Sequence, residues 1–304
     1  MKIVVAVDGS PQSALAAGWT AQLPLTEADD VVVASVAERP VVLGAWGYMH
    51  TQVTEALMGE AWMHVQSEAR RAVEEGAAML ASAGCAVRAV VLEGHPIPGL
   101  IEFIATTAAD LVVVGPHGHG RLESILIGSV SQALLHSMPT SVLVAREPVR
   151  APRRVLFATD GSPHSLAAAR FLARFPLPVE ARIDVLVAVD SWPTGYTSNG
   201  PIEMPDLVTF ERTRAAEIIG DTVAALEAGG RTGTPVIRQG DAKREILAAA
   251  RELESDLIVT GARGIGGFRG LLLGSVSRAV SKAARCSTLV VAHGGASPSN
   301  GGRR

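Results

Sequence analysis

Two glycine patterns stand where backbone amides could close around an anion. Gly115-Pro116-His117-Gly118 is followed, after nine intervening residues, by Gly128-Ser129. Gly261-Ala262-Arg263-Gly264 leads at the same spacing to Gly274-Ser275. An apolar run, Leu111–Val114 or Leu257–Thr260, precedes each pattern, and Val-Ser and a helix-like stretch follow it. Strand, glycine loop and helix start, in that order, let N–H groups converge on a phosphate. Gly118 and Gly264 are expected at positive φ, where the missing Cβ matters. Gly128 and Gly274 would let a phosphate approach the helix start. The N–H groups and hydroxyls of Ser129 and Ser275 would donate to it, with Val130-Ser131 and Val276-Ser277 completing the first turn. His117 and Arg263 occupy the same place in the two loops. Hydrogen bonds to charged groups are worth roughly 1.5–3 kcal/mol each, and micromolar affinity needs about 8 kcal/mol.

The elements that must hold these loops repeat as well. Val5–Pro11 matches Phe157–Pro163 through a shared Asp-Gly-Ser-Pro. Ala109-Asp110-Leu111 matches Ser255-Asp256-Leu257, and Ser141–Ala145 matches Thr288–Ala292. The offset is 152 at the first aspartates and 146 at the glycine loops, so the second half is shorter in its middle. A repeat of this size is a domain. Domain boundaries are expected at 1–148 and 153–293, joined by the proline-broken linker Arg146–Pro152, with a disordered tail over 294–304.

Apolar runs and helical stretches alternate through both halves. Half one reads as strand 2–7, helix 11–22, strand 30–37, helix within 53–83, strand 86–92, helix 97–108, strand 110–115, helix 129–137 and strand 140–146. Half two repeats this at 153–159, 163–174, 182–189, 207–228, 234–239, 242–253, 256–261, 275–284 and 287–292. Alternating βα units of this kind predict an α/β fold: two tandem Rossmann-like domains, each a five-stranded parallel sheet with helices on both faces. Ser10-Pro11 and Ser162-Pro163 read as N-caps with proline at the first helical position. Ser129-Val130-Ser131-Gln132 reads as a capping box. Ligands of such sheets gather beyond the carboxyl ends of the strands. Asp8, Val36 and Gly115 end three strands of half one, and Asp160, Val189 and Gly261 end three of half two. Val7 and Thr159 sit just before the aspartates. A carboxylate there can accept from a ribose hydroxyl or an exocyclic amine, or close a turn.

Composition removes other classes. The chain has 304 residues, 48% of them apolar, and a formal net charge of -3, which gives no basic footprint for nucleic acid. No apolar run reaches the ~20 residues of a membrane span. The N-terminus opens on a strand and not on a signal peptide. Cys85 and Cys286 belong to no motif, and reduced thiols in a cytoplasmic protein are expected. No P-loop motif occurs, and these glycines follow the fourth strand, whereas the dinucleotide fingerprint follows the first. His117 and His119 lack the further ligands of a metal site. His95-Pro96 reads as a strand-to-helix turn, and Trp46–His50 as a long-loop surface or lid.

The two patterns match G-x2-G-x9-G-[ST], and with the flanking Asp256–Gly264 and Gly270–Ser277 the chain resembles the universal stress protein family in tandem form. That resemblance covers nearly the whole chain and implies ATP binding. It places adenosine at Asp8 with Val36 and at Asp160 with Val189. Phosphates lie on the glycine loops and serines, with Mg2+ accompanying them. It implies a role in stress response, dormancy or growth restraint. It also implies dimerisation through the last strands, here 140–146 and 287–292, giving an intramolecular pseudo-dimer able to pair again. Two other readings compete. A slow ATPase or phosphotransferase would use the same loops, yet they carry no lysine and no matched carboxylate base. A scaffold without nucleotide would not need both glycine patterns. Half two is expected to bind better. Pro116, where half two has Ala262, removes a backbone donor. Glu123 stands where half two has Arg269, with Arg121 against Gly267 in partial compensation.

Overall fold

A computed structural model describes residues 1–40, 52–118, 127–137, 140–189, 194–197, 200–203, 205–264 and 273–292. The Trp46–His50 segment, His119, Arg121, Glu123, Gly267, Arg269 and the C-terminal tail lie outside the described residues. Contacts divide the chain into two compact units. One is Met1–Leu134 with Leu143–Arg150, and the other is Leu135–Val142 with Ala151–Arg304.

The first half runs β1 Lys2–Ala6, α1 Pro11–Thr20, β2 Asp30–Ala37, α2 Gln52–Met79, β3 Ala86–Glu93, α3 Pro96–Thr107, β4 Leu111–Val114, α4 Ser129–Ser137 and β5 Ser141–Val144. Its strand order is β3-β2-β1-β4-β5. The β1–β2, β1–β4 and β2–β3 pairs are parallel. The chain moves outward from β1 to β2 and β3 on one side, then crosses to β4 on the other. The switch in strand order therefore falls between β1 and β4, where Asp8 and Gly115 emerge.

The second half runs β6 Arg154–Ala158, α5 Pro163–Arg174, β7 Arg182–Val189, β8 Thr194–Thr197, β9 Gly200–Glu203, α6 Pro205–Glu227, β10 Gly233–Gln239, α7 Ala242–Glu252, β11 Leu257–Gly261, α8 Ser275–Ala283 and β12 Ser287–Val291. The order β10-β7-β6-β11-β12 repeats that of the first half, and its four pairings are parallel. Its switch lies between β6 and β11. The antiparallel β8–β9 hairpin is an addition that the strand pattern of the sequence did not show.

Burial explains why these runs are strands. Ile3, Val5, Leu111, Val112, Val113, Val155, Phe157 and Val259 have no exposed surface, as parallel strands covered on both faces require. The outer strands β3 and β10 are largely exposed. Both predicted caps form. Ser10 Oγ accepts from Ser13 N at 3.1 Å and Ser162 Oγ from Ser165 N at 3.2 Å, each ahead of a proline. These caps fix the start of α1 and α5 against the ends of β4 and β11. His95 is the N-cap of α3, and its imidazole meets Glu38 at 3.1 Å. No helix among the described residues is long and apolar enough to cross a membrane.

Candidate functional site

In half one the strand ends enclose a cavity of about 440 Å³. Val7, Asp8, Val36, Gly115, His117, Gly118, Gly128, Ser129, Val130 and Ser131 all line it. Ala6, Ser13, Pro96, Leu100, Val114 and Ile127 complete the wall. One side is aliphatic, from Ala6, Val36, Pro96 and Leu100. The rest of the lining includes the glycine loop and the start of α4. Pro96 and Leu100 were not singled out in the sequence. Their spacing of four on one face of α3 is the signal that could have found them.

Asp8 is placed by a turn. Its Oδ1 accepts from Ser10 N at 3.0 Å, and Gly9 takes φ 82 to allow the turn. Asp160 repeats this with Ser162 N at 3.1 Å and Gly161 at φ 75. The left-handed glycines are therefore the ones after the aspartates. Gly118 and Gly264, expected at positive φ, lie outside that region. Their requirement is space. A Cβ on Gly118 would lie 2.3 Å from Asp8 Oδ2, and one on Gly264 would lie 2.4 Å from Asp160 Oδ2. The second carboxylate oxygen thus sits directly over the glycine loop in both halves.

Gly128 and Gly274 have a further role inside the loop. Gly128 N donates to Pro116 O and Gly274 N to Ala262 O, both at 2.7 Å, so these amides close the loop on itself. A Cβ on Gly128 would come within 3.0 Å of His117 Cα. The capping box does not form. Gln132 N bonds Gly128 O at 2.8 Å, which makes Gly128 the capping residue and Ser129 the first helical one. Gly274 caps α8 in the same way, without a side-chain bond. The first-turn N–H groups and the positive end of the helix dipole then lie at the loop, where an anion is favoured.

Ser131 and Ser277 are spent internally. Ser131 Oγ donates to Gly115 O at 2.7 Å and Ser277 Oγ to Gly261 O at 2.6 Å, and both serines are buried. They fasten the helix start to the strand end. Ser277→Ala is expected to lower the unfolding free energy of its half by about 1–2 kcal/mol, because the Gly261 carbonyl loses a buried partner. Urea unfolding followed by circular dichroism reads this directly, and an unchanged midpoint would remove the fastening role. Ser129 and Ser275 are the exposed serines at the helix starts.

The proline difference between the loops has a structural meaning. Ala262 N donates to Val291 O at 2.9 Å, a bond between β11's end and β12. Pro116 forfeits that ladder bond, so the lost donor is not one aimed at a ligand.

Half two brings Asp160, Gly261, Ala262, Arg263, Gly264 and Gly274 together in the same way. Ser162 Oγ meets Arg263 O at 3.4 Å, and a Cβ on Gly274 would lie 3.4 Å from Arg263 Cα. Ser275, Val276 and Ser277 open α8 behind that loop. Thr159 is buried, with its hydroxyl 3.2 Å from Thr222 Oγ1 on α6. Val189 is not the counterpart of Val36. Ala6 pairs with Ala34 in one half and Ala158 with Leu186 in the other, which puts Ala188 opposite Val36 and Val189 opposite Ala37. Gly94 N to Ala37 O and Gly240 N to Val189 O, at 3.0 and 2.8 Å, confirm the register. A shift of one residue turns a strand side chain to the other face, so Val189, only 7% exposed, points away from the side that Val36 presents.

His117 is the titratable group among the described residues of the half-one loop. Burial lowers its pKa below the ordinary histidine value, and the charge of Arg146 pushes in the same direction. Its Nε2 is buried with no hydrogen-bond partner among the described residues.

Comparison with known proteins agrees with this architecture. The model of the universal stress protein family matches residues 1–146 and again 152–292. Universal stress protein Rv1996 of Mycobacterium tuberculosis (strain ATCC 25618 / H37Rv) is 30% identical over 308 residues, covering 95% of this chain and 94% of that protein. Universal stress protein Rv2623 of the same strain is 28% identical over 308 residues, covering 95% of each. The crystal structure of a universal stress protein from Archaeoglobus fulgidus DSM 4304 superposes with a TM-score of 0.65 at 21% identity, covering 96% of this chain and 98% of that one. The chain belongs to the universal stress protein family, in a tandem form with two Rossmann-like halves.

Proposed function

We propose that the chain is an ATP-binding regulatory protein of the stress response, with one nucleotide site in each half. The observation that carries this reading is the half-one cavity. Its volume of about 440 Å³ falls in the usual range for small-molecule sites, ~300–1,000 Å³. Its two sides differ in chemistry as the two ends of a nucleotide do. The aliphatic side, Ala6, Val36, Pro96 and Leu100, suits a base. The polar side offers the glycine loop, Ser129 and the N-terminus of α4 to phosphates, with Asp8 between them for a ribose hydroxyl or an exocyclic amine. In half two, Asp160, Gly264, Arg263 and the start of α8 would take the same parts, with Ala188 in the place of Val36. Mg2+ would arrive with the phosphates and share their charge.

Binding would act by preference for one conformation. A ligand biases a protein only as far as it binds one state more tightly than another. Denaturing freshly purified protein and identifying the released small molecules by chromatography and mass spectrometry tests the reading. Co-purified adenine nucleotide is expected. A preparation that releases none, and then takes up no added ATP with magnesium, would leave the family membership standing and remove the nucleotide function.

A further inference from the structure

His117 lies close enough to Arg146 in half one for the guanidinium charge to act on the imidazole. Ala145 N donates to Val114 O at 2.8 Å, so Arg146 leaves β5 alongside the start of the glycine loop. His117 lines the cavity from within that loop. Half two carries the same two residue types exchanged. Arg263 stands at the position of His117, and His293, which lies outside the described residues, follows Ala292 as Arg146 follows Ala145. The sequence therefore has one arginine and one histidine at these two positions in each half.

The surroundings of His117 favour the neutral ring before a ligand arrives. A protonated imidazole carries an N–H on both nitrogens, and a buried N–H without an acceptor costs about 1–3 kcal/mol. Nε2 is buried and has no partner among the described residues. Burial and the Arg146 charge both disfavour the imidazolium. Among the described residues, the other charged group lining the cavity is Asp8, from the end of β1. The lining residues from α1, α3 and α4, which are Ser13, Pro96, Leu100, Ser129, Val130 and Ser131, carry no charge. A phosphate group on the glycine loop would reverse the charge balance, because it brings negative charge close to the imidazole.

We propose that a phosphate group entering the half-one cavity binds together with one proton, taken from solvent onto His117, so that this site tightens as the pH falls. The inference rests on the nucleotide reading above. Histidine in the ligand-free protein titrates below its ordinary value, and in the complex above it. Between those two values each bound ligand takes up one proton, and affinity rises by at most about tenfold per unit fall in pH. Below the lower value the dependence ends.

The test uses the full chain with Gly264→Val, which removes the half-two site, and ATP as the probe. Isothermal titration in buffers of different ionisation heat counts protons taken up, and 13C-labelled histidine reports the His117 titration with and without ATP. ATP's own phosphate ionises near ~6, so the quantity to compare is the difference from His117→Gln. Nearly one more proton per ATP is expected with His117 than with glutamine, together with an upward move of the His117 titration. His117→Arg, which places the half-two residue in half one, should keep binding and lose the proton uptake. Equal proton counts in the histidine and glutamine proteins would overturn the inference and leave nucleotide binding intact. Absence of ATP binding at every pH in the Gly264→Val protein would instead defeat the nucleotide reading of half one, and this inference with it.

Discussion

Gly115→Ala is expected to cost about 3 kcal/mol of unfolding free energy, the upper end of what overpacking a tight site does. A Cβ there would lie 2.2 Å from Gln12 O, 2.8 Å from Gln12 C and 3.1 Å from Ser13 Cα. All three are backbone atoms in the first turn of α1. Ser10, Pro11 and Ser13 fix that turn, and Ser13 Oγ accepts from Asp8 N at 3.1 Å. Helix α1 therefore cannot withdraw without dismantling the strand end that carries Asp8. Gly261→Ala meets His164 C and O at 2.9 Å and Ser165 N at 3.0 Å, a softer collision. About 1–2 kcal/mol is expected there. Gly220→Ala is the control. It sits on exposed α6 surface with nothing within 4 Å of its Cβ, and should stabilise by about 0.5–1 kcal/mol. Denaturant midpoints rank the three. A Gly115→Ala protein as stable as wild type would show that α1 and β4 do not meet as described.

The second large effect concerns ligand and not stability. Gly118→Val should weaken ATP binding in half one by at least about a hundredfold, near 2.7 kcal/mol, with little loss of fold. The nearest atom to a Cβ at Gly118 is Asp8 Oδ2, at 2.3 Å, and the next is Asp8 Cγ at 3.5 Å. Both belong to a side chain that can swing aside, unlike the backbone facing Gly115. The valine would then fill the cavity, and the displaced carboxylate would leave the place proposed for it against the nucleoside. Equilibrium dialysis with ATP, alongside a thermal melt, separates the two effects. A Gly118→Val protein that melts normally and binds ATP in half one as before would put the ligand somewhere other than this cavity.

The first and second glycines of one short motif thus do different work, and only coordinates distinguish them. The order of strands and helices was legible because periodicity and capping chemistry agree along the chain. Ser10-Pro11 and Ser162-Pro163 announce α1 and α5, and α5 runs Pro163–Arg174 as predicted. The loop geometry was not legible. Gly118 was expected at positive φ because glycine is common there, whereas the contact that demands glycine comes from Asp8, 110 residues earlier in sequence. Ser129 looked like a cap because serine caps helices, yet Gly128 takes that place and Ser131 turns inward to Gly115 O. Val189 is matched to Val36 as the end of the corresponding strand, and only pairing register shows that Ala188 holds the equivalent face. Pro96 and Leu100 share one face of α3 by their spacing of four, and the β3–α3 crossover brings that face to the cavity. The antiparallel β8–β9 pair has no counterpart among the described residues of the first half, so the repeat gave no reason to expect it.

Nucleotide binding by both halves is tested most directly by the stoichiometry of ATP on nucleotide-stripped protein. Two ATP per chain are expected for wild type, one each for Gly118→Val and Gly264→Val, and none for the double variant. A wild-type chain that binds no ATP with magnesium present, or one whose binding survives the double substitution, would contradict it.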